Sequence, residues 1–388
     1  MSRAHDYKKR RMNKLSAKSY TRITLALDIV RKIPEGPFAR FHELGTIKHL
    51  ISLYDIITVE KSRDMRIVCD NPSVPVDSSN SCWTACDLLK QKFGIDENVS
   101  ITIRKNIPVK GGLAGGSANA ATTLALLCEL WNISIDTSAL IQLSRGTGQD
   151  VAFYFAGPTA FDSEAGQVLT QVPNSLRFDI ILVLPDFGVS TRDAYQSIDY
   201  ATVAQHTDRT AEMLLAFREN DRSGVVHNIH NDFEQSVFHR HPKLELIKYK
   251  LIENGCDGAA MSGSGSTVVG ILQSHKDFER IESKIGYPCV LVSSAHGMRG
   301  ATRFSGTNSS SDSHYRTRTG SFRWNSKQEL CDFFNRQYGL SRKIVEAEIS
   351  EVMKTFRLRQ GRAVATPELW QKVGTTLEKK INDLKTEI

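Results

Sequence analysis

Four glycines and a serine fall within seven residues, Gly111 to Ser117, and no other stretch of the chain is as well fitted to do chemistry. They belong to the run Pro108, Val109, Lys110, Gly111, Gly112, Leu113, Ala114, Gly115, Gly116, Ser117 and Ala118. Glycine carries no Cβ, so a backbone built from it turns sharply and approaches a ligand closely. An anion, above all a nucleotide phosphate, suits such a loop where it opens a helix, because the first amides there are unpaired and partly positive. The flanking sequence supplies those elements. Val99 to Arg104 alternates like a strand, and Ala118 to Trp131, rich in Ala and Leu with no Gly or Pro, reads as a helix.

Two other phosphate loops fit less well. A P-loop requires Lys before the Ser or Thr, and none precedes Ser117. The dinucleotide fingerprint fails on glycine spacing and on the missing acidic residue of a second strand. A second glycine-rich segment, Gly255 to Gly270, holds a turn between Gly258 and Gly265 that leads into the strand-like Thr267 to Leu272. Gly263, Ser264 and Gly265 lie at its centre, where they can close against the first loop.

The first loop resembles the second motif of the GHMP kinases, the superfamily of galactokinase and of the homoserine, mevalonate and phosphomevalonate kinases. Its long form looks most like the subfamily that phosphorylates 4-diphosphocytidyl-2-C-methyl-D-erythritol. Further segments resemble the family in the same order: Phe41-His-Glu-Leu44 with Ser52-Leu-Tyr-Asp55, Gly148-Gln-Asp-Val-Ala-Phe153, Asn231 to Phe238 with His241-Pro-Lys-Leu244, and the turn from Gly255 to Gly270. Together they cover roughly residues 19–292. The first family motif departs from its usual Ala-Lys-Ile-Asn-Leu. In the matching frame Arg22 stands at the Lys position and Thr24 at the Asn position. An alternative frame on Ala17-Lys18 supplies a Lys but puts Tyr20, Thr21 and Arg22 where apolar strand residues belong.

The resemblance implies an ATP-dependent phosphotransferase acting on a hydroxyl of diphosphocytidyl-methylerythritol. The alternatives are another small-alcohol kinase of the superfamily and a nucleotide-binding protein that has lost turnover. It also implies roles. Residues 108–118 bind ATP, and the Ser117 hydroxyl holds Mg²⁺. Asp150 accepts or orients the proton of the attacking hydroxyl, with Arg22 beside it. Thr24, Phe41, His42, Tyr195, Gly263, Ser264 and Gly265 line the substrate side, the aromatic ones against the cytosine ring. The implied fold is α+β, with an N-terminal half like domain 2 of ribosomal protein S5, a ferredoxin-like C-terminal half and a helical C-terminal extension.

Length and composition agree with this reading. At 388 residues the chain has room for two to three domains, and its apolar and charged fractions of 40% and 24% are those of an ordinary globular protein. Residues 1–15 read as a basic disordered lead, 16–175 as the ATP-binding domain and 176–298 as the C-terminal kinase domain. Residues 299–325, rich in Ser, Gly and Arg, read as a linker, and 326–388 as a helical extension. That extension is an independent module, a self-association element or a binding tail; its sequence leaves all three open.

No run reaches the roughly 18 apolar residues of a membrane span, so no membrane partner is expected. The start lacks the apolar core of a signal peptide, Asp6 argues against a transit peptide, and Met12 is an alternative start. Seven cysteines without a Cys-x-x-Cys pair fit a reduced, cytoplasmic protein. Residues 1–22 hold eight Lys and Arg against one Asp, and 301–388 hold sixteen against ten acids. That leaves residues 23–300 with −6 of the chain's net +7. Solvated tails explain these basic ends more simply than nucleic acid does, so the expected partner is a small-molecule substrate.

Overall fold

The structure is a computed structural model, and it describes residues 13–33, 42–163, 168–200, 203 and 207–295. The chain divides into two units, residues 1–305 and 306–388, and every described residue belongs to the first. The expected lead, most of it, and the whole of the linker and helical extension lie outside the described residues, as does Phe41.

In chain order the elements are β1 (Lys14–Lys32), β2 (His42–Ser62), β3 (Arg66–Cys69), α1 (Ser81–Phe93), β4 (Asn98–Arg104), α2 (Gly115–Leu130), α3 (Thr137–Ser144), α4 (Phe153–Ala156), β5 (Thr159–Ser163) and β6 (Val168–Gln171). There follow β7 (Asp179–Val183), α5 (Thr191–Gln196), α6 (Thr207–Glu219), α7 (Arg222–His227), β8 (His230–Asn231), α8 (Phe233–Arg240), α9 (Pro242–Glu253), β9 (Gly258–Met261), β10 (Val268–Leu272), α10 (Phe278–Ile285) and β11 (Cys289–Ser293). Strands and helices are mixed without βαβ regularity, which is the expected α+β class.

Two sheets carry the fold. The larger runs β3-β4-β2-β1-β8, with β5 joined to β2 and β6 to β5. It forks on β2, whose segment Ile56–Ser62 pairs with β4 while Thr46–His49 pairs with β5. The smaller sheet runs β11-β7-β10-β9 and is antiparallel throughout.

Alternation explains how the sheets meet. On β7, Ile180 and Leu182 enter the core shared with β1 and β2, while Ile181 and Val183 enter the core under α8, α9 and α10. β10 divides its side chains likewise, Val269 and Ile271 against Val268 and Leu272. Strands buried on both faces read as unbroken apolar runs, as both of these do. A third core packs α1 and α2 onto β2 and β4. β1 alternates over residues 22–25, where Ile23 and Leu25 point into the core and Arg22 and Thr24 line the opposite face, and further along Leu27 and Ile29 enter the core under α8, α9 and α10. A one-residue slip of β1 would exchange the two sets.

Local signals set the helix ends. Asn80 caps α1 by accepting from the Cys82 amide at 2.9 Å, and Gly94 ends it at φ 62°. Asp136 caps α3 through the Ala139 amide at 2.7 Å. α2 is different: its N-cap Ala114 is left-handed at φ 52° and provides no side-chain cap. The helix starts at Gly115, three residues before the expected Ala118. The second glycine turn is also shorter than expected, because Gly258 to Met261 are strand β9 and the turn proper spans Ser262 to Thr267.

Candidate active site

The face of β1, β2 and β5 that carries Arg22, Thr24, Thr46, Lys48 and Asp162 forms one wall of a cleft of about 1710 Å³. The loop Pro108–Ser117 and the turn Gly263–Gly265 form its rim, and α5 closes the far side. Small-molecule pockets commonly occupy a few hundred to about 1,000 Å³, so this one has room for two substrates side by side.

The glycine loop is held by its carbonyls. Gly111 O accepts from the Thr267 amide at 3.2 Å. Gly112 O accepts from Arg22 Nη1 at 3.0 Å and from Ser262 Oγ at 3.2 Å. Leu113 O accepts from the Thr21 hydroxyl, and Ala114 O from the Tyr154 hydroxyl at 3.2 Å. Four successive carbonyls are thus taken by protein donors, and the uncapped amides of α2 begin directly after them. This is the arrangement in which a helix N-terminus receives an anion. Gly112 permits it: at φ 74° a Cβ there would stand 2.1 Å from Ser262 O, so only glycine lets the two turns interlock. Ahead of the loop, Asp55 is fully buried and accepts the amides of Asn106 and Ile107 at 2.7 and 2.8 Å, with Lys105 Nζ on its other oxygen.

Asp150 lies opposite the loop, 27% exposed, with a cation on each oxygen. Arg22 Nη2 donates to Oδ2 at 2.6 Å, and Lys48 Nζ lies 2.7 Å from Oδ1. Burial pushes the Asp150 carboxyl up, but the Arg22 and Lys48 charges outweigh it and hold the group well below the ordinary carboxylate range. Burial likewise pushes Arg22 and Lys48 down, and their carboxylate partners overcome it, so both stay protonated. Arg22 Nη1 also donates to Thr24 Oγ1 at 3.1 Å. Lys18, the Lys of the alternative frame, is exposed and lies over the Tyr54 ring at 4.3 Å.

On the far side His42 stacks on Tyr195 with ring centroids 4.3 Å apart, and Tyr195 meets the edge of Phe233 at 4.9 Å. Burial, then the Lys32 charge, lowers the His42 pKa, which favours the neutral ring. The Ser264 hydroxyl lies 3.0 Å from that of Thr191. Ser117, half-buried in the first turn of α2, lines the cleft beside Gly116. The cleft therefore gathers Arg22, Thr24, His42, Asp150, Tyr195, the turn Gly263–Gly265 and the whole stretch 108–117, with Ala118 buried just behind it.

Lys48, Asp162 and Lys105 are cleft residues that sequence reasoning missed. A signal for the first two existed: Lys48 is a charge among Ile47, Leu50 and Ile51, and Asp162 is one directly after Ala160 and Phe161. Among the described residues no group of three or more His, Cys, Asp and Glu side chains could hold a metal, and no helix is long and apolar enough to cross a membrane.

Two family models match the chain. The one for the GHMP kinase N-terminal domain covers residues 80–157, and the one for the GHMP kinase C-terminal domain covers residues 213–290. The 4-diphosphocytidyl-2-C-methyl-D-erythritol kinase of Caldicellulosiruptor saccharolyticus is 33% identical over 262 residues, 67% of this chain and 89% of that protein. The enzyme of the same name from Clostridium botulinum is 34% identical over 275 residues, 70% of this chain and 96% of its own. Among solved structures, a 4-(cytidine 5'-diphospho)-2C-methyl-D-erythritol kinase superposes with a TM-score of 0.60 at 23% identity, covering 73% of this chain and all of that one. The homoserine kinase of Cytophaga hutchinsonii gives 0.61 at 15% identity, over 76% and 98%.

Proposed function

The chain belongs to the GHMP kinase family, and from that membership we propose that it transfers the γ-phosphoryl group of ATP to a hydroxyl of 4-diphosphocytidyl-2-C-methyl-D-erythritol. One observation carries the reading to residues: a carboxylate with a cation on each oxygen faces a helix N-terminus, and the four loop carbonyls before that helix, Gly111 to Ala114, are engaged by protein donors. The names of the relatives supply the acceptor.

In this reading the triphosphate lies along residues 108–118, with its γ-phosphoryl group toward Arg22. The acceptor oxygen attacks phosphorus, the new O–P bond forms, and the bond from phosphorus to the β–γ bridging oxygen breaks, so that ADP leaves with the electron pair. The hydroxyl proton passes to Asp150. That carboxylate is a weak base, since two cations stabilise its ionised form. Its first task is to orient the hydroxyl. It accepts the proton late, when the forming O–P bond has made the hydroxyl acidic, as suits a loose phosphoryl-transfer transition state. Arg22 and Lys48 bring positive charge to where negative charge builds up on the phosphoryl oxygens.

Mg²⁺ fits the donor set in one way. Each Asp150 oxygen already faces a cation, which would repel a metal ion there, so the protein's ligand would be the Ser117 hydroxyl, and the phosphates and water would supply the rest, a common pattern for this ion. When bound it neutralises charge on the β- and γ-phosphates. The stack of His42 on Tyr195 offers a flat apolar surface for the cytosine ring, with Thr24 and the turn Gly263–Gly265 near the diphosphate.

The test is a panel of acceptors given with ATP and Mg²⁺ to the purified protein: the diphosphocytidyl alcohol, mevalonate, phosphomevalonate and homoserine. Phosphorylation of the first at the highest kcat/KM is expected. Preference for another alcohol would reassign the substrate, and no acceptor-dependent ADP with any of them would favour a nucleotide-binding protein without turnover.

A further inference from the structure

We propose that Lys48 is a positioning residue for the phosphoryl transfer: its ammonium, clamped by Asp162, fixes the second oxygen of Asp150 and so sets how that carboxylate meets the acceptor hydroxyl. The inference rests on the function proposed above.

The sheet register builds the clamp. Lys48 pairs with Thr24 of β1 on one side and Ala160 of β5 on the other. Asp162 pairs with Thr46, two residues before Lys48. Lys48 and Asp162 are therefore diagonal neighbours on one face, within reach of a long side chain. Arg22 pairs with Leu50, two residues beyond Lys48, which makes it the diagonal neighbour on the other strand. The order in space is Arg22, Asp150, Lys48, Asp162, with charge alternating along it.

Lysine carries its charge on a flexible four-carbon stem and has many rotamers. Asp162 selects the one aimed at Asp150. It does so at a cost to the fold: Asp162 is 7% exposed, and its Oδ1 has no hydrogen-bond partner among the described residues. Lys48 is the partner that balances this buried charge. Asp150 without Lys48 would be tethered only through Oδ2, free to rotate about that single contact. Two tethers fix the carboxylate plane, and the lone pairs left over are the ones the hydroxyl meets. The titratable and charged groups around Asp150 are Arg22 from β1, Lys48 from β2, Asp162 from β5, Tyr154 from α4 and Tyr195 from α5. Removing the Lys48 charge takes away one of the two cations that favour the ionised form, so Asp150 must titrate at higher pH.

The experiment compares wild type, Lys48→Met, Lys48→Arg and Asp162→Asn in the full chain, by the pH dependence of turnover carried down to the acid limit of the folded protein and by ¹³C titration of the Asp150 carboxyl over the same span. The Asp150 signal is assigned by its loss in Asp150→Asn. In Lys48→Met we expect kcat to fall by about tenfold or more, with KM for ATP held within about threefold, because a misplaced group costs rate more than ground-state binding. The Asp150 titration and the acid limb of kcat should both move to higher pH, and Lys48→Arg should restore part of each. Asp162→Asn should fall between, and it decides by the same readouts if Lys48→Met does not fold. A purely structural role would lower stability and leave both pH readouts in place. Wild-type kcat with an unmoved Asp150 titration overturns the inference. If the wild type does not turn over the diphosphocytidyl alcohol, the proposed function fails separately, and the ¹³C titration still decides the role of Lys48.

Discussion

Arg22 Nη1 donates to the carbonyl of Gly112 at 3.0 Å while its Nη2 holds Asp150 at 2.6 Å. One guanidinium thus ties the phosphate loop to the carboxylate on the opposite wall. A lysine has a single ammonium on a flexible stem, whereas the planar fork of Arg reaches both partners in fixed geometry.

Arg22→Ala should therefore do two kinds of damage. It removes a cation from the transferring group, for which several kcal/mol, or about 10²–10³ in kcat, is typical. It also releases Gly112 O, which raises KM for ATP. Arg22→Lys should keep the Asp150 contact and part of kcat while losing the loop contact. Lys18→Ala, at an exposed position over Tyr54, should leave both parameters near wild type. Steady-state kinetics on the three variants checks this; an inactive Lys18→Ala beside a normal Arg22→Ala would contradict it.

The two faces of the glycine loop separate in mutation. A Cβ at Gly116 would meet only Ser81 Oγ, at 3.7 Å, so Gly116→Val should fold and crowd the cleft, raising KM for ATP by about tenfold. A Cβ at Gly112 would collide with Ser262 O, so Gly112→Ala should destabilise the protein itself, by about 1–3 kcal/mol for the strained backbone alone. Thermal melting with and without ATP distinguishes the two.

Tyr195→Ala should raise KM for the cytidyl acceptor and leave KM for ATP unchanged. Base–aromatic stacking contributes about 1–3 kcal/mol, which corresponds to a rise of about fivefold or more. An acceptor without the cytidine ring should be insensitive to the change. Equal effects on both acceptors would remove Tyr195 from the base site.

The glycine loop, Asp150, Arg22 and the mixed fold were legible because each is written locally: glycines between a strand and a helix, a short motif, alternation along β1. Lys48 and Asp162 were not. Their meeting depends on the β2–β5 register and on the fork of the sheet at β2, which no local pattern encodes. Lys105 was hidden likewise, since it gains its place from Asp55, fifty residues earlier on β2. His49 is a fully buried ring between the Thr159 and Ser294 hydroxyls, 2.8 Å from each, partners that lie 110 and 245 residues away in sequence.

That burial, aided by the Arg177 charge, lowers the His49 pKa to about 3. Unfolded, the ring titrates near the ordinary histidine value of about 6.5. Between those values the unfolded chain binds one more proton than the native one, so stability falls as pH drops. His49 alone contributes about 1.4 kcal/mol per pH unit over that window, and none of the slope above it. Urea unfolding from pH 7 to 4 should show this slope, reduced by one proton in His49→Gln; an unchanged slope would mean that His49 is not held neutral.

The most direct measurement is the turnover of Asp150→Asn beside wild type, with ATP, Mg²⁺ and the diphosphocytidyl alcohol, together with ATP affinity by calorimetry. The substitution keeps shape and removes charge and basicity. The predicted result is acceptor-dependent ADP formation by wild type, a loss of about 10²–10⁴ in kcat in the variant, and ATP affinity within a few-fold of wild type. Wild-type kcat in a folded Asp150→Asn protein would contradict the account.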